Sequence, residues 1–149
     1  RLRTMLTYQL VPWLTVGVEY NPVASYVGPI VNFVALTETE RRPALILGTS
    51  SDRIGTPEGR SFYATISKDL TEATGLPIAP YVGVSYGQFD DRARPIGGIN
   101  VNLTDRIAAS ALFDGVKVHP LVTFSFGRHQ IGALFAQGKN PGVTYSFTF

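Results

Sequence analysis

Apolar and polar residues alternate with period two along most of this 149-residue chain. Leu14, Val16, Val18 and Tyr20 alternate with Thr15, Gly17 and Glu19, and Phe62, Ala64 and Ile66 with Tyr63, Thr65 and Ser67. The same holds for Ile99, Val101 and Leu103 against Gly98, Asn100 and Asn102, and for Val122, Phe124 and Phe126 against Thr123, Ser125 and Gly127. Successive side chains of a strand point to opposite faces, so each run reads as a strand with one apolar and one polar face. Helical spacing is almost missing. The pattern predicts eleven strands, at 2–10, 14–21, 29–37, 43–50, 61–69, 79–88, 97–103, 107–114, 120–127, 130–137 and 142–149. Their regular succession predicts an all-β, up-and-down antiparallel meander within one domain, 1–149.

Composition narrows the class. Charged residues make up 16% and hydrophobic ones 44%, which excludes a solvated disordered chain. A net charge of +2, with no basic block, gives no reason to expect a nucleic-acid partner. Cysteine is absent, so there is no disulfide framework and no thiolate chemistry. No apolar run approaches the roughly 18 residues of a spanning helix, so membrane insertion would need a closed barrel. Pro29, Pro43, Pro80, Pro95, Pro120 and Pro141 are read as strand starts. The chain opens at Arg1 without a signal-peptide pattern, which suggests a processed form or a fragment.

The last eight residues carry the most specific signal. Val143, Tyr145, Phe147 and Phe149 point one way, and Thr144, Ser146 and Thr148 the other. This ending resembles the terminal signature of bacterial outer-membrane β-barrel proteins, in which those aromatic and apolar positions are read by the barrel-assembly machinery. Leu6 to Tyr20 and Ile99 to Phe113 resemble strand–turn–strand units of the same family. The resemblance implies a transmembrane barrel of about 10–12 strands in a Gram-negative-type outer membrane, porin-like and without a cofactor. It also implies contact with outer-membrane lipids and lipopolysaccharide, and with envelope partner proteins.

Several expectations follow from it. Tight turns at Val11-Pro12-Trp13, Thr104-Asp105-Arg106 and Gly127-Arg128-His129 fall at the periplasmic end, and longer polar loops at 50–60, 89–95 and 114–120 fall outside. The connections 37–43 and 70–77 break that rule, as a miscounted strand would. The odd count is also irregular for an even-stranded class, so a strand has been split or one lies upstream of Arg1. Tyr20, Phe89 and Phe113 are expected in an outer aromatic girdle, Trp13 and Phe149 in an inner one. Arg3, Thr15, Gly17, Glu19, Asn100, Asn102, Thr144, Ser146 and Thr148 are expected to line a lumen, with Arg3 and Glu19 paired across the first hairpin. Arg53, Arg60, Arg92, Arg94, Lys117 and Lys139 are expected in outer loops, where they could meet lipopolysaccharide phosphates or be solvated beside Asp52, Asp90 and Asp91.

Catalytic strings are present but poorly placed. Gly83-Val84-Ser85-Tyr86-Gly87 matches a nucleophile elbow, yet it sits inside a strand with no helix to follow. Ser125 and His129 could form the dyad of an outer-membrane lipid hydrolase, but no carboxylate is evident to orient the imidazole. His119 and His129 read as surface histidines and not as a metal site. Asn102-Leu103-Thr104 reads as a chance glycosylation string. The expectation is a non-enzymatic barrel that acts as a passive pore or as the embedded part of an envelope assembly. The main alternative is a soluble lipocalin-like barrel, whose apolar faces would point inward around an apolar ligand.

Overall fold

The computed structural model describes residues 4–21, 25–52, 56 and 59–147. It contains eleven strands: β1 (Thr4–Val11), β2 (Leu14–Asn21), β3 (Tyr26–Leu36), β4 (Ala44–Ser51), β5 (Arg60–Ser67), β6 (Ile78–Gly87), β7 (Arg92–Asn102), β8 (Ile107–Phe113), β9 (Val118–Phe126), β10 (His129–Ala136) and β11 (Asn140–Phe147). All lie in one sheet in sequence order, each antiparallel to the next. The only helix among the described residues is one turn, α1 (Thr71–Thr74), started by the Asp69 carboxylate accepting from the Thr71 N–H at 2.8 Å and ended by Gly75 at φ 71°.

No predicted strand was split, and the sheet does not close. In a meander, odd-numbered strands share one direction, so β1 and β11 run parallel and cannot continue the antiparallel ladder between them. They remain free edges, with seven of the eight β1 residues exposed. The expectation of a closed barrel therefore stands corrected to an open eleven-stranded meander.

Prolines shifted the predicted boundaries. Pro29, Pro80, Pro95, Pro120 and Pro141 lie inside strands, as the second to fourth residue of each, with the ladder continuing on both sides of them. Each removes a single N–H near a strand end, which costs the ladder little there. Strand β7 consequently begins at Arg92 instead of 97, and the segments read as long loops shrink to four-residue turns at 88–91 and 114–117. The predicted loop asymmetry goes with them. Connections at the β1–β2 end hold two, seven, ten, four and two residues, and those at the opposite end four, eight, four, four and three. The long pair at the β1–β2 end, 37–43 and 68–77, is not a miscount. Lys68 pairs with Glu38 at 3.2 Å, and the Asp69 N–H donates to the Glu38 carboxylate at 3.0 Å, tying the two connections together.

Register defines two faces. Val18, Val31, Leu47, Ala64, Val84, Ile99, Ala109, Val122, Ala133 and Val143 share the outer face. Val18, Leu47, Val84, Ile99, Val122 and Val143 on it are 37–81% exposed. Thr15, Asn32, Gly48, Tyr63, Ser85, Thr123 and Thr144 share the inner face, where side chains two strands apart touch, as Tyr63 on β5 bonds Asn32 on β3.

The fold has almost no dry core. Ile30 and Ala44 are the buried hydrophobic residues among those described. Total accessible surface is 9695 Å², whereas a compact soluble monomer of this mass exposes about 7,500 Å².

Candidate functional site

Within the strands, charge is confined to one end of the sheet. Glu19, Arg60, Arg92 and Arg94 are the only Asp, Glu, Lys or Arg residues within the strands, and all four lie at the β2–β3 end. The rest of the inner face is built from Ser, Thr, Asn, Gln, Gly and Tyr with scattered aliphatics.

At the charged end, polar side chains link one turn to the next. The Ser51 hydroxyl donates to Glu19 at 2.9 Å, joining β4 to β2. Asp52 accepts from the Phe89 N–H at 2.9 Å, so the 52–59 connection is fastened to the β6–β7 turn. Gly87 makes this possible: a Cβ there would lie 2.7 Å from the Asp52 carboxylate. Arg94 pairs with Asp90 at 2.5 Å. Together Asp52, Ser85, Gly87, Arg92 and Arg94 surround a cleft with room for about one water molecule.

His119 forms the next link and is fully buried. Its Nδ1 accepts from the Gln137 N–H at 2.8 Å, which leaves Nε2 to donate to Asp114 at 2.8 Å. The β8–β9 turn is thereby clasped to the β10–β11 turn, and Lys117 adds a 3.0 Å bond to the Gln137 side chain. Burial acts to raise the Asp114 carboxyl, but bonds from the Lys117 N–H, His119 and the Val116 N–H outweigh it and hold the group below the usual carboxylate range. At the opposite end, bonds from Thr71 lower the exposed Asp69 carboxyl in the same way.

The expected site residues separate as follows. Thr15, Gly17, Glu19, Asn100, Asn102, Thr144 and Ser146 share the inner face. Arg3, Arg53, Thr148 and Phe149 lie outside the described residues. Met5 stands opposite Glu19 in the register and Glu19 accepts from Ser51, while the expected Arg3–Glu19 pairing falls outside the described residues. Arg92 and Arg94 are not loop residues: they stand in β7 on the inner face, opposite Gly87 and Ser85. Lys139 remains in an exposed turn.

Neither catalytic string assembles. Ser85 lies in mid-strand β6. Ser125 faces inward and accepts from Gln130 at 3.2 Å, while His129 faces outward and meets the Tyr145 hydroxyl at 2.8 Å, so the two point to opposite sides. No metal-binding group of three His, Cys, Asp or Glu side chains occurs among the described residues. The surface reading of His119 was wrong, because nothing in a lone His between Val118 and Pro120 announces a partner on another turn.

The outer face has its own order. Aromatic residues gather at both ends and aliphatic ones between them. Tyr20, Phe62, Tyr86 and Phe113 mark the β2–β3 end. At the other end Trp13 meets Phe33 edge-on at 5.8 Å, and His129 lies among Phe126, Tyr145 and Phe147 at 4.9–6.0 Å. No family model matches this chain, and comparison with curated proteins and with solved structures finds no match.

Proposed function

We propose that the chain forms the membrane-spanning wall of an outer-membrane β-barrel that acts as a passive conduit or as the embedded part of an envelope assembly. The observation that carries this reading is the outer face: exposed, aliphatic across its middle, aromatic at both rims and without a charged side chain between them. Hydrocarbon accepts such a surface, the rims suit headgroup levels, and water does not. An antiparallel wall satisfies its backbone groups everywhere except at its two edges, which a membrane barrel must also pair. One further strand, antiparallel to both β1 and β11, would close it and bring the count to twelve.

The inner face supports the conduit. It is polar and largely uncharged, and it would give water and small solutes a continuous wetted path. Lipopolysaccharide contact is proposed for Lys139 and Arg60 at the rim, since Arg92 and Arg94 face inward. The lipocalin-like alternative needs the apolar face inside and is disfavoured by its 37–81% exposure. Refolding the chain into phosphatidylcholine vesicles tests the reading. A protease-resistant, heat-modifiable band formed only with lipid or detergent is expected. A folded, water-soluble monomer would refute it.

A further inference from the structure

Three tyrosines on the inner face cover glycines. A Cβ on Gly48 would come within 2.5 Å of the Tyr63 ring and 2.6 Å of the Val31 carbonyl, and one on Gly98 within 2.7 Å of the Tyr81 ring and 2.5 Å of the Ala111 carbonyl. Both are cross-strand pairs in register, Gly48 with Tyr63 and Gly98 with Tyr81. Near the charged end, Gly28 stands in the same relation to Tyr26 at 2.8 Å. In each pair the missing side chain leaves the space that the tyrosine occupies over the glycine. Tyr63 and Tyr81 are both half-buried, so part of each ring stays open. Ser85 sits opposite Tyr63, and Ser67 opposite Tyr81. The backbone positions of the two tyrosines are thus offset by four residues, about 13 Å along the strand direction.

The groups beside them are neutral hydrogen-bonding side chains. Tyr63 bonds Asn32, and the Ser110 hydroxyl donates to Asn100 at 2.7 Å. The charged residues of the strands themselves lie at the β2–β3 end, where Arg94 is already paired with Asp90. This part of the wall offers an ion no compensating charge. It offers flat apolar faces bordered by donors and acceptors, which matches molecules that have C–H faces and hydroxyl edges.

We propose that the inner wall of β3–β8 is a saccharide-binding track, with Tyr63 and Tyr81 as stacking platforms and Asn32 and Asn100 as hydroxyl partners. The polarised C–H face of a pyranose meets the electron-rich ring face, while sugar hydroxyls exchange water for amide and hydroxyl groups. The inference rests on the conduit reading for its biological sense but is tested apart from it.

The probe is maltotriose. Equilibrium dialysis against the detergent-folded chain measures binding, and planar-bilayer recording measures saturable block of ion current. Saturable binding is expected. Tyr63→Leu with Tyr81→Leu, which keeps both glycines covered, should weaken it about tenfold, since each ring contact contributes a fraction of a decade to a decade. Tyr63→Phe with Tyr81→Phe should stay within about threefold of the parent. Folding of each variant is checked by its heat-modifiable band. Absence of saturable binding, or equal binding by the folded leucine variant, overturns the track. Binding without any ion current supports the track and overturns the conduit instead, whereas current without binding does the reverse.

Discussion

Val122 and Thr123 are adjacent in β9 and should respond oppositely to the same charge. Val122 lies on the outer face at mid-strand, between Ala109 and Ala133, and is 50% exposed. Thr123 lies on the inner face between Ala108 and Gly132, with its hydroxyl 3.4 Å from the Ala108 carbonyl. If lipid covers the outer face, Val122→Arg places a guanidinium in hydrocarbon near mid-depth, at a cost of about 2–4 kcal/mol. Thr123→Arg extends into a wetted interior and loses one weak bond, so its cost should stay below about 1 kcal/mol. In a water-soluble protein the order reverses. Val122→Arg would then fall within about 0.5 kcal/mol of the parent, and Thr123→Arg would crowd a half-buried site. Urea unfolding from phosphatidylcholine vesicles, followed by far-ultraviolet circular dichroism, reads both values. A Val122→Arg cost below 1 kcal/mol together with a Thr123→Arg cost above 2 kcal/mol would refute the assignment of the faces.

Three other outcomes are expected. His119→Ala removes the bonds to Asp114 and the Gln137 N–H at a fully buried position and should lower unfolding stability by about 2–4 kcal/mol, read by the same urea titration; a loss under 0.5 kcal/mol would show that the clasp contributes nothing. Because the folded Asp114 carboxyl lies below its unfolded range, the stability it adds is complete above about pH 4 and is lost as pH falls through the folded value. Asp114→Asn should therefore flatten the acid limb of the stability–pH curve, and an unchanged limb would contradict the assignment. Gly48→Ala must displace both the Tyr63 ring and the Val31 carbonyl and should cost about 1–3 kcal/mol, with Tyr63→Ser in the same chain recovering the part due to the ring; no recovery would place the strain at the backbone.

The meander was legible because it rests on local alternation. Leu14–Tyr20 and Phe62–Ser67 carry their period within eight residues, and the strands they predict lie where the pattern put them. Errors arose where a residue's local preference was overridden by its ladder. Pro95 and Pro120 read as starts, but sit inside β7 and β9 because only one ladder bond is forfeited at each. The loop lengths inferred from them were wrong for the same reason. Contacts between turns were not legible at all. Asp52 reaches Phe89 across 37 positions, and His119 reaches Gln137 across 18, and no short pattern encodes either meeting. The glycines under Tyr63 and Tyr81 were equally hidden, since Gly48 and Gly98 acquire their role only through register. The odd strand count, already visible in the sequence, leaves β1 and β11 parallel, so the antiparallel ladder does not continue between them.

Solvent accessibility along β9 tests the membrane-facing surface most directly. The chain has no cysteine, so single cysteines at 121 through 125, each carrying an environment-sensitive fluorophore, report one position apiece. In vesicles, labels at Val122 and Phe124 should be quenched by a nitroxide held in the acyl chains, and labels at Leu121, Thr123 and Ser125 by aqueous iodide. Quenching by iodide at all five positions, or lipid quenching at Leu121, Thr123 and Ser125 in place of Val122 and Phe124, would contradict a lipid-facing outer surface.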